Sequence, residues 1–175
     1  SKWDSNGDGI FAKWTGSGID RDIIDLYPDV YVGRLACRNQ FEVNIMVNKI
    51  INYECTPSNP LWYNKMVVVG GDAFNDSGTD FIEGELIGDK VISYMPNFEP
   101  IKLYGSNRYN NPEYTPLTKN IMREIDNGCG HLFFDGHAHP GNWNTGWPGE
   151  FDRLISGGGI SIYDFPFLRN NKKLT

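Results

Sequence analysis

All three histidines of this chain lie between residues 131 and 139, inside GHLFFDGHAHPGNW, Gly130 to Trp143. Asp135, His137 and His139 stand at every second position behind the apolar run Leu132-Phe133-Phe134. In an extended backbone the three would face one side. Such a set could hold zinc or another transition metal, as in a metal-dependent hydrolase. A second chemistry needs only one of them: a histidine at the end of a buried strand is well placed as a general base. That base requires a Cys or Ser within hydrogen-bond reach. Cys129 begins the same strand and so belongs at its opposite end, and Cys37 and Cys55 lie in or beside a helix some eighty or more residues away. No Ser stands in a nucleophile-elbow context. The base is present and the nucleophile is missing. The plainest third reading is a polar turn behind a buried strand.

A second cluster opens the chain. In DSNGDGIF, Asp4, Asn6 and Asp8 occupy the first, third and fifth positions of a calcium loop, with Gly9 at the turn. The twelfth position is Thr15 instead of the bidentate Glu, which rules out a full EF-hand. Two readings stand: a variant loop for a structural calcium ion within residues 1–20, or an Asx-rich turn bonded to its own backbone.

The elements that must position these residues follow from periodicity. VYVGRLA (30–36) alternates and is β-branched, which predicts a strand. QFEVNIMVNKIINYE (40–54) has apolar residues near helical spacing, with Asn39 as its cap. KMVVVGG (65–71) is a continuous apolar run, as in a strand buried on both faces. A helix is expected over 81–95 despite Gly84 and Gly88, then a short strand from Ile101, a helix over 115–128 ending at Gly, and a buried strand at HLFFDGH. Alternating strands and helices imply parallel βαβ units with right-handed crossovers. Ligands of such sheets bind beyond the carboxyl ends of the strands. If the strands at 65–71 and 131–134 are neighbours, Asp72 and His137 share one edge. The sheet reads as unfinished, because the tail ends in a polar turn of the kind that precedes another strand.

The 175 residues suffice for one domain with a core, and the whole chain reads as such. A net charge of −6 argues against a nucleic-acid surface, and no apolar run is long enough to span a membrane. Three scattered cysteines make no disulfide scaffold. Abundant Gly, Asn, Tyr and Trp fit a secreted protein. The chain opens on Ser1, as a processed or partial chain would.

Four segments together resemble the gingipain-type cysteine peptidases, whose core is caspase-like. DLYPDVYVGRLACRN (25–39) is similar to the family's opening segment, and IINYE (50–54) to the end of the following helix. VVVGGDAF with TDFIEGE resembles the next strand and its acidic loop. FFDGHAHPGNW resembles the Gly-His-Gly signature with a Trp six residues after the His. The resemblance implies a three-layer α/β sandwich with a mostly parallel sheet flanked by helices, incomplete at its C-terminal end. It implies a secreted endopeptidase with a Cys-His dyad and no catalytic cofactor. His137 matches the catalytic His, and the Ala138 N–H an oxyanion donor, where the family has Gly. Asp72 matches the acid that orients the His; Asp80 matches the acid of the specificity pocket in arginine-specific members, with Trp143 as a stacking wall. The family's Cys follows on the next strand. The expectation is therefore a fragment cut before its nucleophile, inactive alone, whose partners are a protein or peptide substrate, the remainder of its own chain, and a second copy at an open sheet edge. A non-catalytic relative that kept the fold is the remaining alternative, favoured by Ala138.

Overall fold

The computed structural model describes residues 3–18, 23–24, 27, 29–55, 61–74, 81–150 and 153–169. The chain divides into two compact units, Ser1–Met46 and Val47–Thr175.

The second unit is built on three strands. β1 (Lys65–Gly70) pairs in parallel with β2 (Glu99–Tyr104) on one side and β3 (His131–Phe134) on the other, giving the order β2-β1-β3. Two helices link them: α2 (Glu83–Tyr94) between β1 and β2, and α3 (Thr118–Asn127) between β2 and β3. The helices cover opposite faces because β1 alternates. Val67 and Val69 pack with Leu103, Ile121, Ile125 and Cys129 on the α3 side. Met66 and Val68 pack with Tyr104, Val91 and Ile92 on the α2 side. This explains the unbroken run Met66–Val69, whose four side chains are all fully buried. Helix, sheet and helix make the three-layer α/β arrangement expected from the sequence.

Two glycine features in this unit have visible causes. Gly84 and Gly88, the buried residues of α2, are where the helix meets the sheet. A Cβ on Gly84 would lie 2.8 Å from the backbone N and O of Gly71, and one on Gly70 would collide with the Gly84 carbonyl. Only glycines allow that approach. At the end of α3, Gly128 takes φ 85° and its N–H donates to the Glu124 and Ile125 carbonyls.

β3 stops at Phe134. The chain then enters a separate antiparallel sheet of β4 (His137–His139), β5 (Asn142–Asn144) and β6 (Ile160–Ser161), in the order β4-β5-β6. The strand expected to run through HLFFDGH is thus two strands in two sheets.

Across the boundary between units runs α1 (Gln40–Cys55). Asn39 caps it, its Oδ1 accepting the Glu42 N–H at 3.0 Å, and Glu42 reaches back to the Arg38 N–H at 2.8 Å. The strand expected over 30–36 is not formed. Val30, Tyr31 and Val32 are exposed, and the segment pairs with no strand among the described residues. β-branched alternation describes a side chain's fit to a pleated sheet; without a partner strand it cannot create one.

Candidate active site

Val69 of β1 lies opposite Phe134 of β3, so the loops after these strands start side by side at the carboxyl edge of the sheet. The first loop carries Asp72 and Ala73, the second Asp135 and His137.

His137 opens β4. Its Nε2 lies 2.6 Å from the carbonyl oxygen of Ala73. A carbonyl only accepts, so Nε2 bears the ring proton and Nδ1 keeps the lone pair of the neutral imidazole. The Phe74 ring meets the imidazole edge-on, with centroids 5.4 Å apart. Among the described residues no hydrogen-bond partner engages Nδ1.

Asp72 is 3% exposed. Its Oδ2 accepts the Gly149 N–H at 2.7 Å, and its main chain pairs with Gly146. The carboxylate ties the end of β1 to the 145–149 loop. The acceptor at His137 Nε2 is the Ala73 carbonyl, one residue beyond Asp72. Glu83, in the first turn of α2, accepts the Ala73 N–H on Oε2 at 3.2 Å. Sequence reasoning passed over both. A backbone acceptor has no residue-type signature, and a glutamate in the first turn of an expected helix reads as an ordinary helix-end charge.

Ala138 faces Trp143 across the hairpin, and Trp143 faces Ile160 of β6. The Ile162 N–H donates to the Gly141 carbonyl, which makes Asn142–Ser161 a non-hydrogen-bonded pair and Trp143–Ile160 a hydrogen-bonded one. Trp143 thus turns its N–H and C=O toward β6, away from β4. Ala138 must turn its own N–H away from β5, to the open side of the edge strand β4. The Trp143 indole packs on Phe134, centroids 4.7 Å apart, against the α3-side core. It holds the hairpin to the sheet. Asp80 lies outside the described residues.

Asp135, His137 and His139 do not converge. His137 turns Nε2 to Ala73, and His139 Nδ1 accepts the Gly141 N–H at 3.3 Å. Burial, and secondarily the charge of Glu83, raises the Asp135 carboxyl above its ordinary range. Among the described residues no three His, Cys, Asp or Glu side chains are grouped to hold a metal. The metal-hydrolase alternative fails because the alternation behind it needed one continuous strand, and the chain changes sheets between 134 and 137.

The three cysteines form no disulfide and differ in their surroundings. Cys129 is buried at the amino end of β3, and burial pushes its thiol up to about 11, leaving it protonated near neutrality. Cys55 is exposed at the last position of α1, and Cys37 belongs to the first unit.

In that first unit, the Gly9 N–H donates to Asp4 Oδ2 at 3.1 Å, the Asp8 N–H to Asn6 Oδ1 at 3.1 Å, and the Ile10 N–H to Asp8 Oδ1 at 2.8 Å. Lys13 pairs with Asp8 Oδ2 at 3.2 Å. Asp4 Oδ1 is buried without a hydrogen-bond partner. The side chains thus form an Asx-rich turn.

A parallel sheet covered on both faces, with a histidine beyond its carboxyl edge, has the architecture of a caspase-like peptidase domain. The model of peptidase family C25 matches residues 3–174, and the chain belongs to that family, the gingipain family of cysteine peptidases. Comparisons with curated proteins and with solved structures give no match. No described helix is long and apolar enough to cross a membrane.

Proposed function

We propose that the domain belongs to a secreted cysteine endopeptidase in which His137 is the proton-transfer residue of a Cys-His dyad. The observation that carries this reading is the single bond from His137 Nε2 to the Ala73 carbonyl, which fixes the ring and leaves Nδ1 as the reactive nitrogen. A thiolate would attack the scissile carbonyl, and the Ala138 N–H, turned outward from the hairpin, would donate to the oxyanion. His137 would protonate the leaving amine, and water would then hydrolyse the thioester. The Ala138 donor needs no glycine, because β4 is ordinary extended backbone.

The nucleophile we assign to residues that follow Thr175. β3 pairs on one side only among the described strands, and its four residues are all half-buried, which suits an added strand delivering a Cys beside His137. Until that strand is present the chain is inactive, and its open edge can pair with a second copy. For specificity we propose Asp80 as the carboxylate that pairs with an Arg or Lys side chain of the substrate. For the first unit we propose a structural calcium ion on Asp4, Asn6 and Asp8, supported by the buried Asp4 Oδ1; calcium titration should raise that unit's thermal midpoint, and EDTA should reverse it.

The deciding experiment expresses the chain with and without the residues encoded after Thr175. The longer form should cleave peptide substrates in a thiol-dependent manner and lose that activity on His137→Ala. Thiol-dependent cleavage by the 175-residue chain would overturn the assignment. Iodoacetamide at neutral pH should modify Cys55 and spare Cys129.

A further inference from the structure

We propose that Glu83 is a positioning residue for the His137 imidazole, acting through the main chain of Ala73. The inference rests on the reading of His137 as the proton-transfer residue. Ala73 is bonded at both ends of its backbone: its N–H donates to Glu83 Oε2 at 3.2 Å, and its carbonyl accepts from His137 Nε2 at 2.6 Å. The residue that aims the histidine is therefore itself aimed by a carboxylate in another element.

The placement of Glu83 is built into the fold. The Gly84 N–H donates to the Gly71 carbonyl at 3.2 Å, and the close contacts among Gly70, Gly71 and Gly84 bring the first turn of α2 against the end of β1. Glu83, one residue earlier, then stands over the peptide that follows Asp72. The opposite side of the same segment is fixed independently. Asp72 exchanges backbone hydrogen bonds with Gly146 at 3.1 and 2.8 Å and holds the Gly149 N–H on its carboxylate. Residue 72 is thus anchored to the 145–149 loop and residue 73 to α2. Without Glu83, residue 73 loses its hold on α2, and the peptide that follows it gains freedom to turn the Ala73 carbonyl away from His137. A carboxylate at a helix N-terminus is also electrostatically favoured there, so it supplies a strong acceptor in a fixed place.

The test uses the imidazole itself, in the 175-residue chain, by nitrogen-15 NMR of His137. Wild type should show the Nε2-protonated tautomer with a slowly exchanging ring proton. Glu83→Gln keeps an oxygen acceptor for the Ala73 N–H and should preserve both. Glu83→Ala should mix the tautomers and speed Nε2 proton exchange by roughly fivefold, the worth of one net hydrogen bond. Glu83→Met, of similar length and without an acceptor, should match Ala, and it replaces Ala if that variant fails to fold. In the longer, active form, Ala or Met should lower kcat with little change in KM, and Gln should restore it. An unchanged tautomer and exchange rate in both Ala and Met overturns the role of Glu83. An altered imidazole in a protein whose longer form never cleaves peptides leaves the Glu83 linkage standing and overturns the peptidase assignment of His137 alone.

Discussion

Helices α1 and α3 are both marked in the sequence by periodicity and by end signals, yet they are opposite in what they do. The 16-residue α1 has no buried residue, although Phe41, Ile45, Val47 and Ile51 fall near helical spacing. The 10-residue α3 buries Asn120, Ile121, Glu124 and Ile125, and packs the two isoleucines against β1 and its neighbours. Each helix also has an asparagine with structural work. Asn39 caps α1 in solvent, whereas Asn120 is buried, its amide donating to the carbonyls of Pro112 and Thr115 and to Thr115 Oγ1. Local signals decide that a helix forms; tertiary contact decides whether it matters to stability.

That contrast can be broken by substitution. The largest effect should come from Ile121→Ala, which empties a fully buried site and should cost about 2–5 kcal/mol in urea unfolding of the second unit. Ile45→Ala, at an exposed site in α1, should cost within about 0.5 kcal/mol. A comparable loss at both positions would mean that α1 is covered in solution. Next comes the asparagine pair. Asn120→Ala leaves buried acceptors unsatisfied and should cost about 1–3 kcal/mol. Asn39→Ala should cost about 1 kcal/mol and confine its effect to amide exchange in the first turn of α1.

The smallest effect concerns the strand end beside the site. Burial and Glu83 hold the Asp135 carboxyl above its ordinary range, so folding favours the protonated form. That contribution is present in acid, below the unfolded value near about 3.9, and is lost as pH rises through the higher folded value. At neutral pH the charged group is a cost, and Asp135→Asn should stabilise the fold there. Solvent screening keeps the gain under about 1 kcal/mol, and it should vanish by about pH 3 in thermal melts taken across the range.

Much of the parallel core was legible. The run at 65–71 announced a strand covered on both faces, and Gly128 announced the end of α3. The adjacency of Asp72 and His137 followed once β1 and β3 were taken as neighbours. The site was less legible, since its closest contacts are main-chain atoms. Nothing in the letter Ala at 73 marks a carbonyl that holds an imidazole, and Trp143 reads equally as pocket wall or core until its ring is found against Phe134. The segment 30–36 failed for a related reason, because its pattern specifies a face but no partner.

By itself, then, the sequence determined the order of strands and helices, the ends of the helices and the family. Those features depend on periodicity, capping and residue type, which act over a few neighbouring positions. Only the tertiary structure decided which strands pair, that HLFFDGHAH divides between two sheets, and that Ala73 and Glu83 stand behind His137. Such choices are set by close approach between distant segments, here glycine against glycine at residues 70, 71 and 84, and the geometry of that approach is written in no single stretch of chain.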